Sequence, residues 1–256
     1  MMSNSPLVTY TRLSPNRTSP RNHAIDRITI HCYVGQVTAE RGCSGSRFVT
    51  YDPVGGASCN YVVGYDGSIG LCVPEEDRSW CSSSPDNDHR AVTIETASDS
   101  FAPYAVTEAA YQALLDLVTD ICRRNGKRRL IWMDNKTAAL AYVPEDGDMV
   151  MTVHRWFAAK ACPGEWLLER HGEIAGEVTR RLQEEDDTMS YEQWKQYMDR
   201  YRQELGQQQA DPWAVPFIAQ AIDAGLMADV DGSIERPRDF VTRQELAASL
   251  AATVKK

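Results

Sequence analysis

Residues 27–31 read Arg-Ile-Thr-Ile-His, an alternation of polar and β-branched apolar side chains that predicts a strand. Further segments carry related signals downstream. Asn60-Tyr-Val-Val63, the turn Tyr65-Asp66-Gly67 and Ser68-Ile-Gly-Leu-Cys-Val73 together predict a hairpin. Ala91-Val-Thr-Ile-Glu95 and Arg129-Leu-Ile-Trp-Met133 predict two more strands, and Met151-Thr-Val-His154 a shorter extended piece. Helices are predicted between and after them. From Thr107 to Asn125 an apolar face forms from Leu114, Leu115, Leu117, Val118 and Ile121, with Thr107 placed to cap it and Gly126 to stop it. Trp166 to Leu182 reads as a second long helix, weakly interrupted by Gly172 and Gly176. Strands and helices that alternate in this way predict the α/β class, a sheet covered by helices, over residues 27–182.

Outside that stretch the composition changes. Residues 1–26 are rich in Pro, Ser, Asn and Arg, and Arg12, Arg17 and Arg21, with Arg27 just beyond, make the opening stretch locally basic, which predicts an irregular, solvated arm. The charged run Glu184-Glu-Asp-Asp187 marks a boundary, residues 183–209 predict a polar helical linker, and residues 210–256 a small helix–loop–helix unit. That unit holds Trp213–Gly225 as one helix, a loop with Gly232, and Thr242–Val254 as another. The chain has 256 residues and a net charge of −9, of which 8 − 14 = −6 falls in residues 183–256 and −3 in the rest. No basic stripe is present to neutralise phosphates, so no nucleic-acid partner is expected. No apolar run is long enough to cross a bilayer, so no membrane insertion is expected. The first 24 residues contain no hydrophobic core of a signal peptide, which predicts a cytoplasmic protein until something releases it. Seven cysteines without an export signal predict metal binding or plain burial, not a disulfide framework.

Three of these residues stand out for chemistry. His31 ends a predicted strand, His154 ends a predicted extended piece, and Cys162 follows eight positions later in Lys160-Ala-Cys-Pro-Gly164. Two imidazoles and a thiolate suit Zn²⁺, and three protein ligands leave a fourth position open, as catalytic zinc requires. By residue type alone a structural reading stands beside this one, because a lone His or a buried Cys is more often structural.

The order of the motifs adds a resemblance. Ile28-Thr-Ile-His31, Cys59-Asn-Tyr-Val-Val-Gly-Tyr-Asp-Gly67, Ala91-Val-Thr-Ile-Glu95 and His154-x₅-Lys160-Ala-Cys162-Pro follow one another in a way that resembles the type 2 N-acetylmuramoyl-L-alanine amidases. That family includes phage endolysins and peptidoglycan recognition proteins, and the likeness covers about residues 26–182. It implies a central mixed β-sheet flanked by helices, with the small helical unit appended. It implies Zn²⁺ held by His31, His154 and Cys162, and an oxyanion-stabilising role for Lys160. The family supplies its general base either as a Tyr, at a position occupied here by Cys59, or as a Glu that matches Glu95. The resemblance therefore assigns proton handling to Glu95, while Cys59 is expected to be a small buried residue. Trp80 precedes a loop, Cys81 to His89, that borders the substrate groove in relatives. It is expected to contact substrate or simply to pack. Cys32 should point away from His31 into the core, and His89 and His171 should face solvent.

The implied function is hydrolysis of the amide between N-acetylmuramic acid and L-alanine in bacterial peptidoglycan, in the manner of a phage or prophage endolysin. The alternatives are a recognition protein that grips peptidoglycan without cutting it, or a cytoplasmic amidase that recycles wall fragments. Asp211 to Leu226, Asp231-Gly232 and Val241-Thr-Arg-Gln-Glu245 are similar to one S-layer homology repeat. This implies that residues 210–256 bind a secondary wall polymer or mediate self-association.

Overall fold

The computed structural model describes residues 4–186 and 191–225, and residues 246, 247 and 250 near the C-terminus. The chain forms two compact units, Met1–Asp187 and Thr188–Lys256. The first contains strands β1 (Tyr10–Thr11), β2 (Arg17–Thr18), β3 (Arg27–Cys32), β4 (Tyr61–Val63), β5 (Ile69–Leu71), β6 (Arg78–Ser79), β7 (Ala91–Thr96), β8 (Arg129–Ile131) and β9 (Asp148–Thr152). Its helices are α1 (Ala39–Cys43), α2 (Ser46–Val49), α3 (Pro85–Arg90), α4 (Glu108–Arg124), α5 (Lys136–Ala141) and α6 (Glu165–Asp186). The second unit contains α7 (Tyr191–Gly206) and α8 (Val215–Asp223).

Seven strands form one mixed sheet in the order β1-β5-β4-β7-β3-β9-β8, and β2 and β6 form a two-stranded antiparallel ribbon. Within the large sheet only β4 and β5, the predicted hairpin, run antiparallel. β3 lies between β7 and β9, parallel to both, and every one of its six residues is buried. A central parallel strand has no wet face, so its polar side chains Arg27, Thr29 and His31 are buried along with its apolar ones.

The pleat sorts the two faces of this strand. Ile28, Ile30, Val92 and Ile94 join the main core with Leu114, Leu117, Val118 and Ile121 of α4 and Leu167, Ile174 and Val178 of α6. Each such fully buried side chain contributes about 1.5–3 kcal/mol through apolar area removed from water. The other face is polar. Thr29 pairs with Thr152 across β3 and β9 (2.7 Å), and Asn87 of α3 donates to Thr29 Oγ1 at 2.9 Å. α4 begins where its sequence predicts: Thr107 Oγ1 accepts from Ala110 N, and Gly126, at φ +68, follows its last residues.

Two expectations about local structure change. The opening stretch is woven into the first unit and is not a solvated arm. β1 pairs with β5, β2 pairs with β6, and the buried Arg21 donates to the carbonyls of Glu75, His89, Ala91 and Asp77. Its guanidinium has five donors in a fork, and loop carbonyls satisfy them better than a passing polar side chain could. The extended piece near residue 151 begins earlier and ends at Thr152, so His154 sits in a 3-10 turn, His154–Trp156, and not on a strand. In the second unit α8 falls within the predicted helix 213–225. The Asp231-Gly232 and Val241–Glu245 segments of the S-layer-like stretch lie outside the described residues, as does the predicted helix Thr242–Val254 except for residues 246, 247 and 250. No helix among the described residues is long and apolar enough to cross a membrane.

Candidate active site

Strand register brings the first two groups together. His31 on β3 is the direct parallel neighbour of Glu95 on β7, so both side chains project from the polar face. The 3-10 turn that follows β9 then places His154, whose ring centroid lies 5.0 Å from that of His31. The chain doubles back: Arg155 N donates to Cys162 O at 3.2 Å, and Cys162 Sγ arrives 3.3 Å from His31 Nδ1. Gly164 completes the bend into α6. Its φ is +83, and a Cβ there would stand 2.8 Å from Tyr104 Cβ, so a residue with a side chain does not fit.

The ligand atoms of His31, His154 and Cys162 all lie within 4.8 Å of one another. Tetrahedral zinc with bonds of about 2.0–2.3 Å separates its ligands by roughly 3.3–3.8 Å, a range that includes the His31–Cys162 distance. The electrostatics fit a cation as well. Burial, reinforced by His154, pushes the His31 pKa down to about 3, which keeps the imidazole neutral and able to donate a lone pair. Burial and Lys160 lower that of His154. The Cys162 thiol is raised by its contact with the Cys32 thiol and by burial. His31 Nε2 is buried without a hydrogen-bond partner. A second set, His31 with Cys81 and Glu95, also lies within 4.8 Å. It shares His31 with the first set and takes in the Glu95 carboxylate.

Glu95 has the environment of a group that exchanges protons near neutral pH. Burial first, and then the nearby Cys32 sulfur, raise its carboxyl to about 8, while the Cys81 thiol at 3.9 Å from Oε1 pulls the other way. Its Oε2 is buried and unpartnered. A carboxyl that titrates near neutrality can both take and return a proton. Glu95, His154 and Lys160 line a single cavity of about 780 Å³, with Trp80, Ser83, Arg47 and Arg78 on its walls. The Trp80 indole donates to Thr18 Oγ1 at 3.1 Å and tilts toward Tyr51 (centroids 6.4 Å apart), so it packs and still presents a surface to the cavity.

The six residues singled out in the sequence thus fall into a ligand-like triad, a carboxylate beside it, and two cavity-lining side chains. Cys59 stands apart, fully buried in a cluster with Cys43, Val62 and Cys72. Three neighbours differ from expectation. Cys32 does join the core, yet its thiol meets Cys162 and lines the cavity, because the strand ends there and Cys162 folds over its tip. His171 is fully buried, not solvent-facing: its Nδ1 lies 2.7 Å from Leu167 O, and its ring rests 4.7 Å from that of Trp132. His89 is half-buried and its Nδ1 accepts from Asn22 N at 3.0 Å. The resemblance put the loop Cys81 to His89 at the groove, but sequence reading singled out neither Cys81 nor Ser83 within it. Their placement depends on a loop conformation that no periodic pattern announces.

The family model for N-acetylmuramoyl-L-alanine amidase matches residues 21–165. No curated protein matches the chain. Among solved structures, a selenomethionine derivative of AmpD is similar at 15% identity, with 68% of this chain and 99% of that one covered and a TM-score of 0.47. PlyL is similar at 16% identity, covering 66% and 95% with a TM-score of 0.42. The endolysin amidase LysCS from Clostridium intestinale is similar at 15% identity, covering 65% and 95% with a TM-score of 0.44.

Proposed function

Because the chain belongs to the N-acetylmuramoyl-L-alanine amidase family, we propose that it hydrolyses the amide joining N-acetylmuramic acid to the L-alanine of the stem peptide, with zinc held by His31, His154 and Cys162. The observation that supports this most is the approach of Cys162 Sγ to 3.3 Å from His31 Nδ1, with His154 beside them and Glu95 opening on the same cavity.

Zinc, when bound, polarises the substrate carbonyl and lowers the pKa of water at its open position. Glu95 takes a proton from the attacking water and returns it to the departing alanine nitrogen. The Lys160 ammonium, on the cavity wall, offsets the negative charge that develops on the carbonyl oxygen. Trp80 gives the muropeptide a flat apolar surface to lie against. The products are a free stem peptide and a muramic acid carboxylate. The reading includes the setting of a phage or prophage endolysin, held in the cytoplasm until it is released onto the wall.

Metal analysis and wall digestion test this together. The wild-type chain should carry stoichiometric zinc and release stem peptides with free alanine amines. Cys162→Ala should lose both metal and activity. Glu95→Ala should keep the metal and lose about 10²–10⁴-fold in rate. Zinc bound without any release of alanine amines would favour a recognition protein. Undiminished release by either variant would remove that residue from the mechanism.

A further inference from the structure

Ser83 belongs neither to the ligand triad nor to the proton-transfer pair. Its hydroxyl oxygen lies 3.1 Å from Nε2 of His154, and its side chain lines the cavity that Glu95 and Lys160 share. The backbone of Ser83 is left-handed, with φ 62. A non-glycine residue holds such a conformation only where its surroundings over-determine it.

They do so here from both sides. Asp88 accepts from Cys81 N at 3.0 Å, from Ser82 N at 3.2 Å and from the Ser82 hydroxyl. On the other side Ser84 caps α3 by accepting from Asn87 N at 3.3 Å. Ser83 is the one residue between these two anchors, and its strained backbone aims a hydroxyl at an imidazole. His31 Nε2 has no hydrogen-bond partner, whereas His154 is gripped from outside the ligand set.

We propose that Ser83 is a positioning residue for metal binding: its hydrogen bond fixes the ring orientation of His154 and decides which ring nitrogen carries the proton. This rests on the zinc reading given above. Outer partners of metal-bound imidazoles fix tautomer and orientation, and their loss costs 10–100-fold in metal affinity. The strain at Ser83 is then part of the site's preorganisation, a stability cost accepted so that His154 meets His31 and Cys162 already aligned.

Two full-length variants test this by competition of zinc against a chromophoric chelator, together with the melting temperature of the metal-free protein. Ser83→Ala and Ser83→Gly should each bind zinc about 10–100-fold more weakly than wild type. Ser83→Gly should melt higher than wild type when metal-free, because glycine adopts φ 62 without strain, and Ser83→Ala should not. Opposite movements of stability and zinc affinity in the glycine variant are what a merely structural serine would not produce. Zinc affinity within about twofold of wild type in Ser83→Ala overturns the proposal. So does a loss confined to Ser83→Gly, which would trace to the backbone and not to the hydroxyl. A wild-type chain that binds no zinc would take the functional reading down as well, whereas a zinc-loaded, active wild type with unimpaired variants would refute Ser83 alone.

Discussion

Glu95 stands beside His31 with one carboxylate oxygen buried and unpartnered, and its pKa is raised to about 8 from 4.5, chiefly by burial. The unfolded chain gives up this proton above pH 4.5, while the folded, metal-free chain keeps it to about pH 8. The unfolded state therefore binds fewer protons across that window, and metal-free stability falls as pH rises through it. Glu95→Gln should remove this penalty. The metal-free variant should be more stable than wild type at pH 8 by on the order of 2 kcal/mol, the gap closing toward pH 4, while wall hydrolysis is lost. Denaturant unfolding in a chelating buffer at the two pH values checks it, and equal stabilities at pH 8 would remove burial as the cause of the shift. His171 moves the other way. Burial lowers its pKa to about 4 from 6.5, so its contribution is present above pH 6.5 and is lost as pH falls toward 4. His171→Phe should flatten that acid limb of the stability profile, as thermal melts between pH 4 and 7 would show. At this scale His31, His154 and Cys162 drew notice by residue type, whereas Glu95 and Lys160 were singled out only through the motif order that resembles the amidase family. Ser83 and Cys81 were not, since a serine or a cysteine acquires meaning here only from the loop that aims it.

Elements were legible in proportion to their length. β3, β7 and α4 repeat a pattern over enough residues to declare it, and the β4–β5 hairpin has its Asp66-Gly67 turn. The two-residue strands β1, β2 and β6 and the short helices α1, α2 and α5 have no room for a period, and tertiary pairing defines them. β8 ends the large sheet, and α6 protects it: Leu130 N donates to Thr179 Oγ1 at 3.0 Å, and that hydroxyl donates back to Leu130 O at 3.3 Å. The joint that matters most for the site is the entry to α6. Gly164→Ala would force a left-handed alanine and set its Cβ against Tyr104 Cβ and Pro103 O, neither of which is a flexible side-chain end. The two costs together should reach about 2–4 kcal/mol. Relief of that clash must move the bend holding Cys162, so zinc affinity should fall along with stability. A variant that loses stability but binds zinc as wild type does would show that the bend is not what aims the sulfur.

Over the whole molecule, the main core runs from Ile25 to Leu182, and the candidate ligands with Glu95, Lys160, Trp80 and Ser83 lie from His31 to Cys162. All of it falls in the unit Met1–Asp187. A core of that extent is large enough to fold unaided. The other unit carries −2 of the net −9 and, among its described residues, leaves Tyr191, Trp213 and Phe217 largely exposed. Exposed aromatic side chains of this kind suit contact with another surface, whether a wall polymer or a second copy of the chain. A chain ended at Asp187 should therefore melt within a few degrees of the full protein and hydrolyse a soluble muropeptide at an undiminished rate. Its fraction bound to intact walls should fall where the removed residues bind a wall polymer, and its state of association in sedimentation should fall where they bind a second copy. The two readouts separate targeting from self-association, and a loss of muropeptide turnover would show instead that the groove depends on the second unit.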